Sequence, residues 1–196
     1  MLTLMLATAL SLAELPLATF DGAPASTHNW TTINDPVMGG ASVSTFEQQG
    51  AVGVWAGEVK VVPFLHAPGF CTLTTTDAKA FPDCSNTSYI ALTLTNGSGL
   101  PTGDFMLQAG VHGVTDYGTV YQSNCSAQYC CANDCRIPWN TFVLTYRGEP
   151  VKGPPLASNL DKLNRVGIGT AGTAGTFSLS IKSITAGSAV RSARCA

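Results

Sequence analysis

Three groups of side chains in this sequence have types and spacings that could support chemistry. The first is His112, Asp116 and Ser123. Nucleophilic catalysis needs a hydroxyl beside a histidine that a carboxylate orients. No Gly-x-Ser-x-Gly surrounds Ser123, so the spacing does not mark it as a nucleophile. The expectation is a surface His112 at a strand end. The second group is the acidic residues, 12 in all, scattered without a pattern, so the sequence neither finds nor excludes the facing pair that sugar hydrolysis uses. The third is Gly167-x-Gly169-x2-Gly172, which has the letters of a dinucleotide fingerprint. It follows a strand pattern and opens no helix, so it reads as coincidence. No catalytic residue and no cofactor are expected.

The chain has 7 cysteines, with Cys125, Cys130, Cys131 and Cys135 forming the one dense cluster. Zinc sites usually show two short Cys-x2-4-Cys pairs converging on one ion. Here the spacing is irregular, and the adjacent Cys130 and Cys131 point to different sides of the backbone. The reading is disulfides and no metal. Cys71 and Cys84 flank an apparent hairpin and are paired here, a bridge worth on the order of 3 kcal/mol in the loop-entropy account. Cys195 is expected to tie the tail to the 125–135 loop. An odd count leaves one thiol unpaired or bridging another chain.

Composition bounds the partners. Charged residues are 11% of the 196 and the net charge is −2, which argues against nucleic acid or an anionic membrane. Met1–Ala13 is apolar, small and uncharged, too short to span a bilayer. It reads as a signal peptide cut before Glu14, with Ala18 or Ala25 as later options. No Lys or Arg precedes Lys60, which disfavours a mitochondrial or plastid address. Sequons at Asn29, Asn86, Asn96 and Asn124, with the cysteines, point to the secretory route.

The elements that must position these groups are strands. Residues 14–29 lack periodicity and read as an extended lead-in. Val52 and Val54 alternate in one phase and Val59 and Val61 in the other, predicting a bulge near Trp55–Gly57. Ile90, Leu92 and Leu94 share a face. Phe105, Leu107, Ala109 and Val111 share another, with Gln108 and His112 opposite. Gly118–Ser123 is a further strand, and residues 124–136 are a loop. Phe142, Leu144 and Tyr146 are expected inward, residues 160–163 make one helical turn, and Phe177, Leu179 and Ile181 alternate near the end. Eight to ten such strands, each with one apolar face, predict an all-β sandwich or barrel. The domain is set at 30–186, with a tail at 187–196. Trp30 and Trp139 are expected in the core. Gln108, His112 and Tyr121, with Arg147 on the following loop, form a candidate ligand face.

One stretch stands apart: Trp30, then Asn34-Asp35-Pro36-Val37-Met38-Gly39-Gly40 and Ser42. Pro36 and the glycines constrain the backbone around two apolar loop residues. Either Val37 and Met38 plug the core, or they are presented for recognition. This stretch resembles the signature of the complex I intermediate-associated protein 30 family. Phe46, Gly57 and Pro68-Gly69-Phe70 resemble its second block, Ile137-Pro138-Trp139-x2-Phe142 with Arg147-Gly148 its third, and Ile168-Gly169 with Gly175-x-Phe177-x-Leu179-x-Ile181 its last. The resemblance implies a galactose-binding-like jelly-roll β-sandwich without catalytic residues, and members known as complex I assembly factors or plastid relatives. The function expected is a non-enzymatic, chaperone-like or protein-binding module of the secretory route. The alternatives are a lectin-like glycan binder and a mitochondrial complex I assembly factor proper.

Overall fold

The computed structural model describes residues 14–35, 39–95, 104–116 and 118–188. Two antiparallel sheets face each other. In the first lie β1 (Leu15–Thr19), β3 (Val43–Gln49), β4 (Val52–Val59), β8 (Tyr89–Leu94), β11 (Cys130–Cys131), β12 (Asp134–Pro138) and β16 (Gly175–Gly187). Their order is β11-β12-β8-β16-β4-β3, with β1 also paired to β16. In the second lie β2 (Trp30–Asn34), β7 (Cys71–Thr75), β9 (Phe105–Val111), β10 (Thr119–Asn124), β13 (Val143–Tyr146), β14 (Glu149–Pro150) and β15 (Leu163–Thr170). Their order is β14-β13-β10-β9-β15-β7-β2. A small hairpin, β5 (Val61–Val62) with β6 (Ala67–Pro68), projects between β4 and β7. The described helical segments are short 3-10 turns, one of them at Leu160–Lys162 as the sequence indicates. The chain is an all-β jelly-roll sandwich.

The alternating residues that the sequence marks as apolar meet between the sheets. Leu107, Ala109 and Val111 from one sheet and Leu92, Ile181 and Ile184 from the other are fully buried. Trp55 packs edge-on against Phe105 and Phe177, at centroid distances of 6.0 and 4.6 Å. Trp139 is buried and its indole N–H donates to Thr87 Oγ1 at 2.9 Å.

Several expectations are corrected. Residues 14–29 are not a lead-in outside the domain. Strand β16 is 13 residues long; its first half pairs with β4 and its second half with β1 and β8. Where β4 ends, β1 takes the vacant edge, with Leu17 and Ala18 fully buried. His28, stacked on Phe81, contacts the Leu17 carbonyl through Nε2 (3.0 Å) and Asp77 through Nδ1 (2.9 Å). Partial burial pushes the Asp77 carboxyl up. The hydrogen bonds from His28, Asn29 and Lys79 outweigh it and hold Asp77 below the usual carboxylate range.

Strand β4 has no bulge at Trp55–Gly57: it pairs in unbroken register with β3 and β16. Gly53, Trp55 and Val59 share the inner phase, and the phase breaks later, at Lys60. Residues 124–136 are not all loop, because β12 pairs along β8 over five residues. Tyr146 is exposed, since the strand ends there, while Phe142 and Leu144 are buried.

Leu17→Ala tests the added strand. A buried Leu truncated at a packed site is expected to cost about 2–5 kcal/mol in urea denaturation. A loss within a few tenths of a kcal/mol would return residues 14–19 to a lead-in.

Candidate functional site

The signature stretch forms at the end of β2. Asp35 is only 2% exposed. Its Oδ1 accepts the Ser42 amide N–H at 3.0 Å and its Oδ2 accepts the Ser42 hydroxyl at 3.1 Å. The Ser42 hydroxyl oxygen in turn accepts the Lys60 amide N–H at 3.0 Å. Beside it, Ser44 donates to Asn34 Oδ1 at 2.7 Å. Among the described residues no cation forms an ion pair with Asp35. Two glycines make room for the carboxylate. A Cβ on Gly40 would stand 2.2 Å from Asp35 Cγ, and one on Gly69 would overlap Asp35 Oδ2. Asp35 and Gly40 of the signature, with Gly69 from outside it, are therefore one device: a buried acid and the space it occupies. Gly39 has φ +70°, a left-handed turn position. Trp30 packs against Phe20 and Phe46, each at 5.8 Å. Pro36, Val37 and Met38 lie outside the described residues.

Asp35 gathers three backbone segments, and each leads directly into an exposed apolar side chain. Ser42 precedes Val43, Lys60 precedes Val61, and Gly69 precedes Phe70. Their exposures are 57%, 52% and 42%. The β5–β6 hairpin adds Phe64 at 63% and Leu65 at 50%. The Phe64 ring lies 3.5 Å from where a Gly39 Cβ would be. Glu58 and Lys60 pair with each other at 3.4 Å beside this crest. Sequence reasoning missed it. The available signal was Val61-Val62-Pro63-Phe64-Leu65-His66-Ala67-Pro68, an apolar run whose prolines fit an edge or turn better than a core strand.

The candidate ligand face does not assemble as expected. Tyr121 pairs with Ala109 and Leu144, which face inward, and it is buried, its hydroxyl donating to the Pro154 carbonyl at 2.7 Å. Gln108 lies on the outer face, opposite Gln122. His112 is exposed in the turn after β9. Arg147 is exposed at φ 51°, its guanidinium 5.3 Å from the Tyr146 ring and, among the described residues, in no ion pair. Ser123 faces the interior and shares a 2.7 Å hydrogen bond with Thr141. The Asp116 carboxylate takes hydrogen bonds from the Thr119 hydroxyl and from the Gly118 and Thr119 amides, which hold it below the usual carboxylate range. Asp116 is thus committed to its own turn, and Ser123 points away from the surface where His112 lies.

The outer face of the second sheet carries a different feature. One cross-strand row runs Thr31–Thr74–Gly167–Gln108–Gln122–Val143. Beside its β2 end opens a cleft of about 340 Å³, lined by Thr31, Thr74, Asp77, Asp116, Asn164 and Arg165 among others. Arg165 donates to the carbonyls of Asp116 and Thr119, both at 3.2 Å, and burial pushes its pKa down against the opposing field of Asp116. Gly167 and Gly169 lie within β15 and open no helix.

The expected Cys71–Cys84 bridge is absent. Both are buried free thiols, on β7 and in the loop before β8, and burial pushes the Cys84 thiol up to about 12. Cys130 and Cys135 form a disulfide, Cys131 is disulfide-bonded, and Cys125 is a free buried thiol. Cys195 lies outside the described residues. The sequon residues Asn29, Asn86 and Asn124 are exposed, and Asn96 is outside the described residues.

Fold and site together define a jelly-roll β-sandwich that carries an exposed apolar crest and a cleft. The family model for complex I intermediate-associated protein 30 matches residues 19–181, and the chain belongs to that family. No curated protein matches the chain. Among solved structures it is similar to the family 11 carbohydrate-binding module of the cellulosomal cellulase Lic26A-Cel5E of Clostridium thermocellum. That likeness has a TM-score of 0.57 and 14% identity over 91% of this chain and 96% of that one. The same module in complex with a β-1,3-1,4-mixed-linked tetrasaccharide gives a TM-score of 0.56 at 14% identity, covering 91% and 98%. Family and fold fit a non-catalytic binding module. No described helix is long and apolar enough to cross a membrane.

Gly69→Ala tests the Asp35 device. With no room for a methyl, the expected cost is about 2–3 kcal/mol. Gly50→Ala, where nothing lies within 4 Å but φ is +62°, should cost about 1 kcal/mol. Equal losses in chemical denaturation would remove the Asp35 contact as the reason for Gly69.

Proposed function

We propose that this chain is a non-catalytic protein-binding module whose contact surface is the apolar crest of Val43, Val61, Phe64, Leu65 and Phe70. The observation that carries the reading is the exposure of these side chains, from 42% to 63%, on segments fixed by one buried carboxylate. Exposed apolar surface organised on a rigid support is characteristic of an interaction site. The neighbouring Glu58 and Lys60 neutralise each other, so the matching surface is apolar and uncharged. An apolar segment of another polypeptide has that chemistry, which is a chaperone-like mode of binding. Action in the secretory route is part of the proposal; the disulfides and three exposed sequon residues support it.

The test replaces Phe64 with a photo-crosslinking phenylalanine analogue in the full chain, in extract of the native host. A discrete protein adduct is expected, lost when Val61 and Leu65 are changed to Ser. Those exposed changes should leave stability within about 0.5 kcal/mol. Adducts that persist in the double variant, or cross-links to lipid alone, would sink the reading.

A second reading rests on the cleft beside β2 and β15. It is roomy, and the structurally similar module is described with a bound mixed-linked tetrasaccharide. Its Thr31 hydroxyl and Asn164 amide are groups suited to sugar hydroxyls. Titration with that oligosaccharide, followed by calorimetry, is expected to show binding that weakens roughly tenfold in Asn164→Ala, about the loss of one hydrogen bond. Absence of heat at millimolar ligand would remove the glycan reading.

A further inference from the structure

The Sγ atoms of Cys125, Cys130 and Cys135 lie within 4.8 Å of one another, and all three residues are buried. Cys130 and Cys135 face each other across the β11–β12 ladder. Cys125 reaches them from the end of β10, where its amide N–H donates to the Phe105 carbonyl at 2.8 Å and fixes its position. Alternation along the strand turns Cys131 to the opposite side. The cluster is thus a triangle of sulfurs, one edge of which is the disulfide.

Thiolates held at about 2.3 Å from a common ion stand roughly 3.8–4.0 Å apart in tetrahedral or trigonal geometry. To meet that spacing the bonded edge must open, and the other two edges, at most 4.8 Å long, must settle to it. Among the described residues no His, Asp or Glu joins the cluster. An all-sulfur donor set selects soft cations over calcium or magnesium.

We propose that in the reduced chain Cys125, Cys130 and Cys135 form a three-thiolate site for a thiophilic cation, Zn2+ or Cu+, and that the Cys130–Cys135 disulfide is its closed, oxidised form. Opening needs a dithiol reductant. It transfers two electrons and two protons to the Cys130–Cys135 bond and becomes a disulfide itself. Metal entry then forms three metal–sulfur bonds and releases the three thiol protons to solvent. The two forms exclude one another, because the same sulfurs make either the covalent bond or the metal bonds. Oxidation would expel the ion and leave Cys125 as the free thiol of the described structure.

The test uses the full chain, reduced and then freed of reductant without oxygen. Co2+ is the spectroscopic probe of the zinc arm, and Cu+ against a chelating competitor is the second arm. In at least one arm, stoichiometric binding of one ion is expected, with a near-ultraviolet thiolate-to-metal band in the Co2+ case that Zn2+ abolishes. Cys125→Ser should weaken binding by more than roughly a hundredfold, beyond the loss of an outer-shell partner. Cys71→Ser should leave it unchanged. Native mass spectrometry of the unsubstituted protein gives a readout independent of variant folding: metal on the reduced chain and none on the oxidised one. Absence of stoichiometric binding in both arms would overturn the proposal. So would binding that survives Cys125→Ser at undiminished strength.

Discussion

The structure depends on one buried carboxylate. Asp35 sits 2% exposed and forms no ion pair with a described side chain. A charge taken out of water is tolerated only when its oxygens are hydrogen-bonded. Ser42 supplies both bonds, one from its amide and one from its hydroxyl, and passes the constraint to Lys60. Gly40 and Gly69 approach from the other sides, where any side chain would occupy the carboxylate's place. One side chain therefore sets the positions of β2, the entry to β3, the exit from β4 and the entry to β7. The exposed apolar crest inherits its geometry from this arrangement.

Much of the fold was legible in the sequence because the strand period is two and apolar alternation reports it directly. Ile90-x-Leu92-x-Leu94 and Phe105-x-Leu107-x-Ala109-x-Val111 declared their buried faces. The less legible parts had physical reasons. Leu15–Thr19 contains Pro16 and a register shift between Pro16 and Ala18, so its pattern is irregular, and its place depends on β16, far away in sequence. Val54 and Val59 differ in phase because one faces outward, not because the strand bulges. The β11–β12 hairpin was hidden by its cysteines, which look alike in loops and strands. Tyr121 was misplaced because an aromatic with a polar tip suits either face. Its register opposite Ala109 put it inside, and Pro154 satisfied the hydroxyl.

The signature stretch was legible as a family marker but not as a site. Asn34, Asp35, Gly39, Gly40 and Ser42 announced a constrained turn. Nothing in their order revealed that Gly69, nearly thirty positions on, completes the same pocket. The crest itself was illegible for a related reason. Exposure of Phe64 and Leu65 depends on a short hairpin whose direction is set by its attachment at Lys60 and Gly69, joined by the Gly69 N–H to Lys60 carbonyl bond at 2.8 Å.

The long strand β16 has a consequence for how the molecule comes into being. It supplies the pairing edge for β1, β4 and β8. It also emerges from the ribosome after all three of them. Until it arrives, the first sheet exists only as separate fragments with open hydrogen-bonding edges. Its core face waits with them, so the nascent chain has high contact order and folds late.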